Sequence, residues 1–175
     1  DSGKLINTLV GHNSKVISLI FNLEDKLIIS GSTDQTVKIW GAYSGEIIKT
    51  VNSKFGSVSA LSFNQENILI AASNQENSIK IWEVLTGKLI KTLTEFFNHE
   101  MSVSFSEDGK LIASSSRDDS IKIWEVLTGK LINTLDGNND TITSLNFLMG
   151  NEFLISGSYN SSIKIKVFVI ISVLF

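Results

Sequence analysis

The chain has no cysteine and no proline. Without cysteine there is no disulfide, no thiolate zinc site and no cysteine nucleophile, and the redox compartment stays open. Without proline nothing interrupts a β-ladder, although the turns lose a stiffener they often have. A basic excess is also missing: the net charge is −3 and the pI about 5.4. That argues against a nucleic-acid partner, which needs clustered Lys and Arg to displace counterions from phosphate. The longest apolar stretch runs over residues 167–175 with only Ser172 inside it, far short of the ~20 residues a membrane helix requires. It reads as a sticky strand, a pairing or aggregation hazard if left open. With no signal peptide and no membrane span, a cytoplasmic setting is expected, and the triplets Asn139-Asp140-Thr141 and Asn160-Ser161-Ser162 are expected to be accidental rather than glycosylated.

What is present is repetition. Trp40, Trp82 and Trp124 stand 42 residues apart, and Gly3, Gly45, Gly87 and Gly129 keep the same step. A period in the ~40 to 45 residue band is that of four-stranded propeller blades. The units are 2–43, 44–85, 86–127 and 128–169, in a single segment spanning 1–175. Within each unit four short apolar runs alternate with turn-forming clusters, which predicts strands and leaves no room for a helix of ten residues. In the first unit the runs are Lys4–Leu9, Val16–Phe21, Lys26–Ser30 and Thr36–Trp40. Ser18, Ala60, Ser102 and Ser144 form a small column, and Phe21, Phe63, Phe105 and Phe147 an aromatic one. Strand alternation sends the two columns to opposite faces. Lys38, Lys80, Lys122 and Lys164 also share a column between apolar neighbours, the pattern of a strand with one wet face, so a solvated lysine row is expected.

The first unit carries Gly11-His12, Ser30-Gly31-Ser32-Thr33-Asp34 and Val37-Lys38-Ile39-Trp40. In period, order and spacing the whole chain resembles the WD-repeat β-propeller family. The resemblance implies an all-β fold of antiparallel blades in which each unit lends its outer strand to one blade and three inner strands to the next. It also implies a hydrogen-bonded series Trp40, Ser30, His12, Asp34 that acts structurally. Partial versions remain at Ser114, Asp118 and Trp124, at Trp82 and at Ser156. Phe96 stands in the histidine column with His99 out of register, the second unit has Lys54, Ala72 and Glu76, and the fourth has Asn138, Asn160 and Lys166. Three of four blades are therefore expected to be held by packing alone. Glu100 replaces Val16, Val58 and Ile142 at the start of an inner strand, where an unpaired buried charge is prohibitive.

A Ser, His and Asp in series also evokes a hydrolase. A nucleophilic serine, however, must be exposed beside an oxyanion hole, whereas Ser30 would lie in a strand against a tryptophan. The expected protein is not an enzyme, and no cofactor or metal is expected. The resemblance implies an interaction scaffold whose loop face is edged by Lys15, Thr33, Ser57, Gln75, His99, Arg117, Thr141 and Tyr159. Of these Lys15, Gln75, His99, Arg117 and Tyr159 are the partner-binding candidates, for peptides or partner domains. The alternative is a regulatory segment of a larger signalling ATPase or kinase, suggested by the identity of 81–90 with 123–132. Four units would make about half a ring. A fragment of a longer propeller, a dimer of two arcs and an open stack all fit; with no initiator methionine the fragment is the expected one, and self-association through open blade edges remains available.

Overall fold

A computed structural model of the 175-residue chain describes residues 3–22, 26–53, 56–64, 69–74, 78–94, 102–115, 118–136, 140–148 and 151–167. Among the described residues there are strands and no helices. Blade one is β1 (Val16–Phe21), β2 (Leu27–Ser32), β3 (Thr36–Gly41) and β4 (Ile47–Asn52), paired antiparallel in chain order. Blade two is β5 (Val58–Phe63), β6 (Leu69–Asn74), β7 (Ile79–Glu83) and β8 (Leu89–Leu93), and blade three is β9 (Ser102–Phe105), β10 (Leu111–Ser115), β11 (Ser120–Glu125) and β12 (Leu131–Asp136). Among the described residues blade four has three strands, β13 (Ile142–Leu148), β14 (Phe153–Ser158) and β15 (Ile163–Val167). The register repeats with the sequence: Trp40 faces Ile28, Trp82 faces Ile70 and Trp124 faces Ile112.

The first predicted run does not form a strand. Lys4–Leu9 has no ladder partner here, although β1 falls on the expected residues. The outer strand of each four-stranded blade comes from the following unit, so the first run stands in the sequence column of β4, β8 and β12.

The turn into each outer strand needs a left-handed residue, and Gly45, Gly87 and Gly129 supply it with φ between 68° and 75°. Glu83 and Glu125, standing where the family's name-giving aspartate belongs, accept the hydroxyl protons of Thr86 and Thr128 inside this turn. Those threonines in turn accept from Lys88 N at 3.1 Å and Lys130 N at 3.2 Å.

Blades stack through three cores. Val37 and Ile39 of blade one meet Val58, Leu61 and Trp82 of blade two. Ile79 and Ile81 meet Val103 and Trp124, and Ile121 and Ile123 meet Ile142 and Leu145. Each fully buried isoleucine contributes about 1.5–3 kcal/mol. Hydroxyls stitch the innermost strands together: Phe105 N donates to Ser62 Oγ (3.0 Å), Leu145 N to Ser102 Oγ (3.1 Å) and Phe147 N to Ser104 Oγ (3.3 Å). These bonds use edge N–H groups that would otherwise need water. Blades without a complete polar series are thus held by more than apolar packing.

The lysine row is not solvated. Lys38, Lys80 and Lys122 are buried; for Lys80 and Lys122 the face they share with the tryptophans is covered by the preceding blade, so both faces of those third strands are dry. Their stems pack and their ammoniums find oxygen: Lys38 Nζ donates to Thr50 Oγ1 at 3.0 Å, and Lys80 Nζ reaches across to the Ser53 carbonyl of blade one at 3.3 Å.

Candidate functional site

Two neighbouring turns build the polar cluster of blade one. Asp34 closes the β2–β3 turn by accepting from Thr36 N (2.9 Å) and Thr36 Oγ1 (2.6 Å) through Oδ1, while Gln35 takes a φ of 67°. The same side-chain turn recurs at Asp118 with Ser120 N (3.0 Å) and at Asn160 with Ser162 N (3.1 Å), with Asp119 and Ser161 both at φ 62°. An Asp or Asn therefore belongs in this column whether or not a histidine faces it.

In blade one the free carboxylate oxygen meets the incoming loop. Asp34 Oδ2 accepts from His12 Nδ1 at 2.8 Å and from Asn13 N at 2.9 Å. His12 Nε2 lies 2.6 Å from Ser30 Oγ, and the Trp40 indole donates to that same oxygen at 2.8 Å. The Asp34 carboxylate can only accept, which puts the proton of the neutral imidazole on Nδ1 and leaves Nε2 to accept from the Ser30 hydroxyl. The His12 and Trp40 rings meet edge to face with centroids 6.0 Å apart. Burial alone would raise the Asp34 pKa. The Thr36 hydroxyl, the Asn13 N–H, His12 and the Thr36 N–H outweigh it and hold the carboxyl far below the ordinary carboxylate range.

The structure thus brings His12, Ser30, Asp34 and Trp40 into one series. Ser30 is buried, its hydroxyl donating to the imidazole and accepting from the indole. In blade three Trp124 donates to Ser114 Oγ at 3.1 Å, and Asp118 Oδ2 accepts from Lys122 Nζ at 2.9 Å. In blade two Trp82 is buried beside Ala72, which has no hydroxyl to offer. Ser156 of blade four is buried, opposite Lys164 in the ladder. The role of Lys122 was not read from the sequence. Its signal was a lysine two residues before each tryptophan, hence on the same strand face. The hydroxyls of Ser62 and Ser104, also unread, share a column of the innermost strands.

The loop candidates divide. Thr33 N donates to Lys15 O at 2.9 Å, and Tyr159 N donates to Thr141 O at 3.1 Å, so these two pairs hold equivalent places on blades one and four, with Lys15 and Tyr159 exposed. Ser57 is half-buried at the corresponding edge of blade two. Lys54, Gln75, Glu76, Phe96, His99, Glu100, Arg117, Asn138, Asn139 and the tail 168–175 lie outside the described residues. Among the described residues no three His, Asp or Glu side chains gather to hold a metal, and no helix is long and apolar enough to cross a membrane.

The pattern described as WD domain, G-beta repeat matches four times in succession, over residues 3–41, 45–83, 87–125 and 129–165. The chain belongs to the WD-repeat family. Among WD-repeat relatives, pre-mRNA-processing factor 19 of Oryza sativa subsp. japonica is 51% identical over 39 residues, which are 22% of this chain and 7% of that protein. The periodic tryptophan protein 2 homolog of Schizosaccharomyces pombe is 49% identical over 43 residues, 25% of this chain and 5% of that protein. Each matched stretch is about one repeat long and a small part of a much longer relative. In three dimensions the crystal structure of the computationally designed Ika4 protein superposes with a TM-score of 0.81 at 26% identity, covering 95% of this chain and 99% of that one.

Proposed function

We propose that this WD-repeat chain is a non-catalytic scaffold that holds peptides or partner domains on the face carrying Lys15, Thr33, Thr141 and Tyr159, to which the family pattern adds Gln75, His99 and Arg117. The observation that carries the reading is the matched pair of Lys15–Thr33 and Thr141–Tyr159, which sets a cation on one member of the pair in blade one and a phenol on the other member in blade four. Exposed Tyr and Arg are the side chains that most often anchor interfaces. A rigid stack lets one partner touch several blades at once. The Trp40–Ser30–His12–Asp34 series serves as a clamp that sets the angle between the first loop and the blade. It supports the binding face without taking part in chemistry. Lending strength to this assignment, each hydroxyl and ring nitrogen in the series is spent on another member.

A random-peptide display selection on the chain tests it. Enrichment that disappears with the double variant Lys15→Glu, Tyr159→Ala, at unchanged melting temperature, supports the face. Equal enrichment by both proteins, or none by either, overturns it.

A further inference from the structure

The tryptophans of the repeat are buried at equivalent places on β3, β7 and β11, but they are not equally bonded. The indoles of Trp40 and Trp124 donate to Ser30 Oγ at 2.8 Å and to Ser114 Oγ at 3.1 Å. In the same column blade two has the methyl of Ala72. Trp82 is 4% exposed, and among the described residues its Nε1 has no acceptor. A buried donor in that state is costly, so any acceptor that can reach it gains the whole difference.

There is room beside it. A cleft of about 430 Å³ lies between β4 of blade one and β7 and β8 of blade two, with Lys80 and Trp82 on one wall and Thr50, Val51 and Ser53 on the other. Small-molecule sites commonly occupy about 300–1,000 Å³. Both walls belong to four-stranded sheets whose packing partner is in place, since Val37, Ile39 and Val51 of blade one share a core with Trp82.

The polar groups of this cleft give protons and accept few. Lys80 is 2% exposed, and its ammonium reaches the Ser53 carbonyl at 3.3 Å. The Ser53 hydroxyl donates away from the cleft, to the carbonyls of Gln35 at 2.9 Å and Gly56 at 3.1 Å. Thr50 Oγ1 accepts from Lys38 Nζ and keeps its own proton to give. Among the described lining residues there is no Asp or Glu. Lys80 and Trp82 stand two residues apart on one strand, hence on one face, so a single carboxylate can meet both. The lysine column already does this in blade three, where Lys122 Nζ lies 2.9 Å from the Asp118 carboxylate. Beside the donors, Val51, Leu89 and the Trp82 ring offer apolar surface.

We propose that the cleft between blades one and two binds a small monocarboxylate with a compact apolar body, its oxygens held by Trp82 Nε1 and Lys80 Nζ and its body packed on Val51 and Leu89. Ala72 is the residue that makes the site. A serine in its place, as in blades one and three, would satisfy the indole from within the chain and leave the ligand one donor fewer. The bound acid touches both sheets and so ties blade one to blade two. The cleft uses none of the loop residues of the proposed binding face, and the inference is independent of the scaffold reading.

Titration of the chain, isotope-labelled at its indole nitrogens, with hydrocinnamate tests the proposal by nuclear magnetic resonance. The Trp82 indole resonance, identified by its loss in Trp82→Phe, should shift and saturate while those of Trp40 and Trp124 stay in place. Ala72→Ser should weaken binding about tenfold, the effect of losing one charge-assisted hydrogen bond, in a chain at least as heat-stable as the wild type. Lys80→Met should weaken it by about as much, and the neutral analogue hydrocinnamamide should bind the wild type about tenfold more weakly than the acid. A Trp82 resonance that does not respond, one that drifts together with the other two without saturating, wild-type affinity in both variants, or equal affinity for acid and amide would overturn the proposal.

Discussion

Lys122 Nζ lies 2.9 Å from Asp118 Oδ2, placing an ammonium beside the carboxylate whose blade-one counterpart, Asp34, faces an imidazole. The same lysine column serves a different purpose in blade one, where Lys38 donates to the neutral hydroxyl of Thr50. Burial alone would raise the Asp118 pKa, but the Ser120 hydroxyl, Lys122 and the Ser120 N–H outweigh it, and the carboxyl titrates below its ordinary value. The charge pair is half open to water on the aspartate side, which limits its worth.

Lys122→Met should lower stability by about 1 kcal/mol, since it leaves Asp118 with only its turn bonds to Ser120. Lys38→Met should be neutral or slightly stabilising, because a buried ammonium held by a neutral hydroxyl is replaced by an apolar chain of similar length. Urea-unfolding midpoints of the two variants check this, and the reverse order would refute the assignment.

Acid should act on the Asp34 cluster with a definite sign. Its folded pKa is depressed, so its contribution to stability is present above the unfolded carboxylate value near 3.9 and is lost as pH falls below it toward the folded pKa. Melting temperature followed from about pH 6 to about pH 2 should therefore fall more steeply for the wild type than for Asp34→Asn. Parallel curves would show that Asp34 gains nothing from its four donors.

How much of this could be read from the sequence depended on whether a residue's surroundings repeat with the chain. β1, the tryptophan register and the blade-one series lie where the 42-residue period puts them, because each contact falls within one unit or between neighbouring units. The lysine row was misread because alternation identifies a wet face only when a sheet has one. Blades two and three, stacked on both sides, have none, and Lys80 even bonds to the blade before it. Lys4–Leu9 was misread for the opposite reason: its pattern is that of a strand, identical in part to β12, but strand formation needs a partner that local sequence does not report. The small column at Ser18, Ala60, Ser102 and Ser144 was legible as small, while the bond from Leu145 N to Ser102 needed the neighbouring blade in place.

Blade two offers a repair. Ala72→Ser would set a hydroxyl at the place from which Ser30 and Ser114 accept the indole protons of Trp40 and Trp124, so Trp82 gains an acceptor. A stabilisation of about 0.5–1 kcal/mol is expected in equilibrium unfolding. A loss of stability would mean that the new hydroxyl cannot place its own proton.

Gly87→Ala should cost about 1–2 kcal/mol. It combines a φ of 68° with a methyl placed 3.0 Å from Lys49 Cε and 3.3 Å from Val51 Cγ2. Thermal unfolding of the variant checks it, and an unchanged midpoint would show that the turn relaxes freely.

The central claim is that the Trp40–Ser30–His12–Asp34 series is architecture. Equilibrium unfolding of Ser30→Ala, with an ester-hydrolysis assay run on the same samples, tests it most directly. The variant should lose about 1–3 kcal/mol as the Trp40 indole and His12 Nε2 are left without their shared partner, with no change in ester turnover relative to wild type. Unaltered stability together with the loss of a measurable turnover would contradict the account.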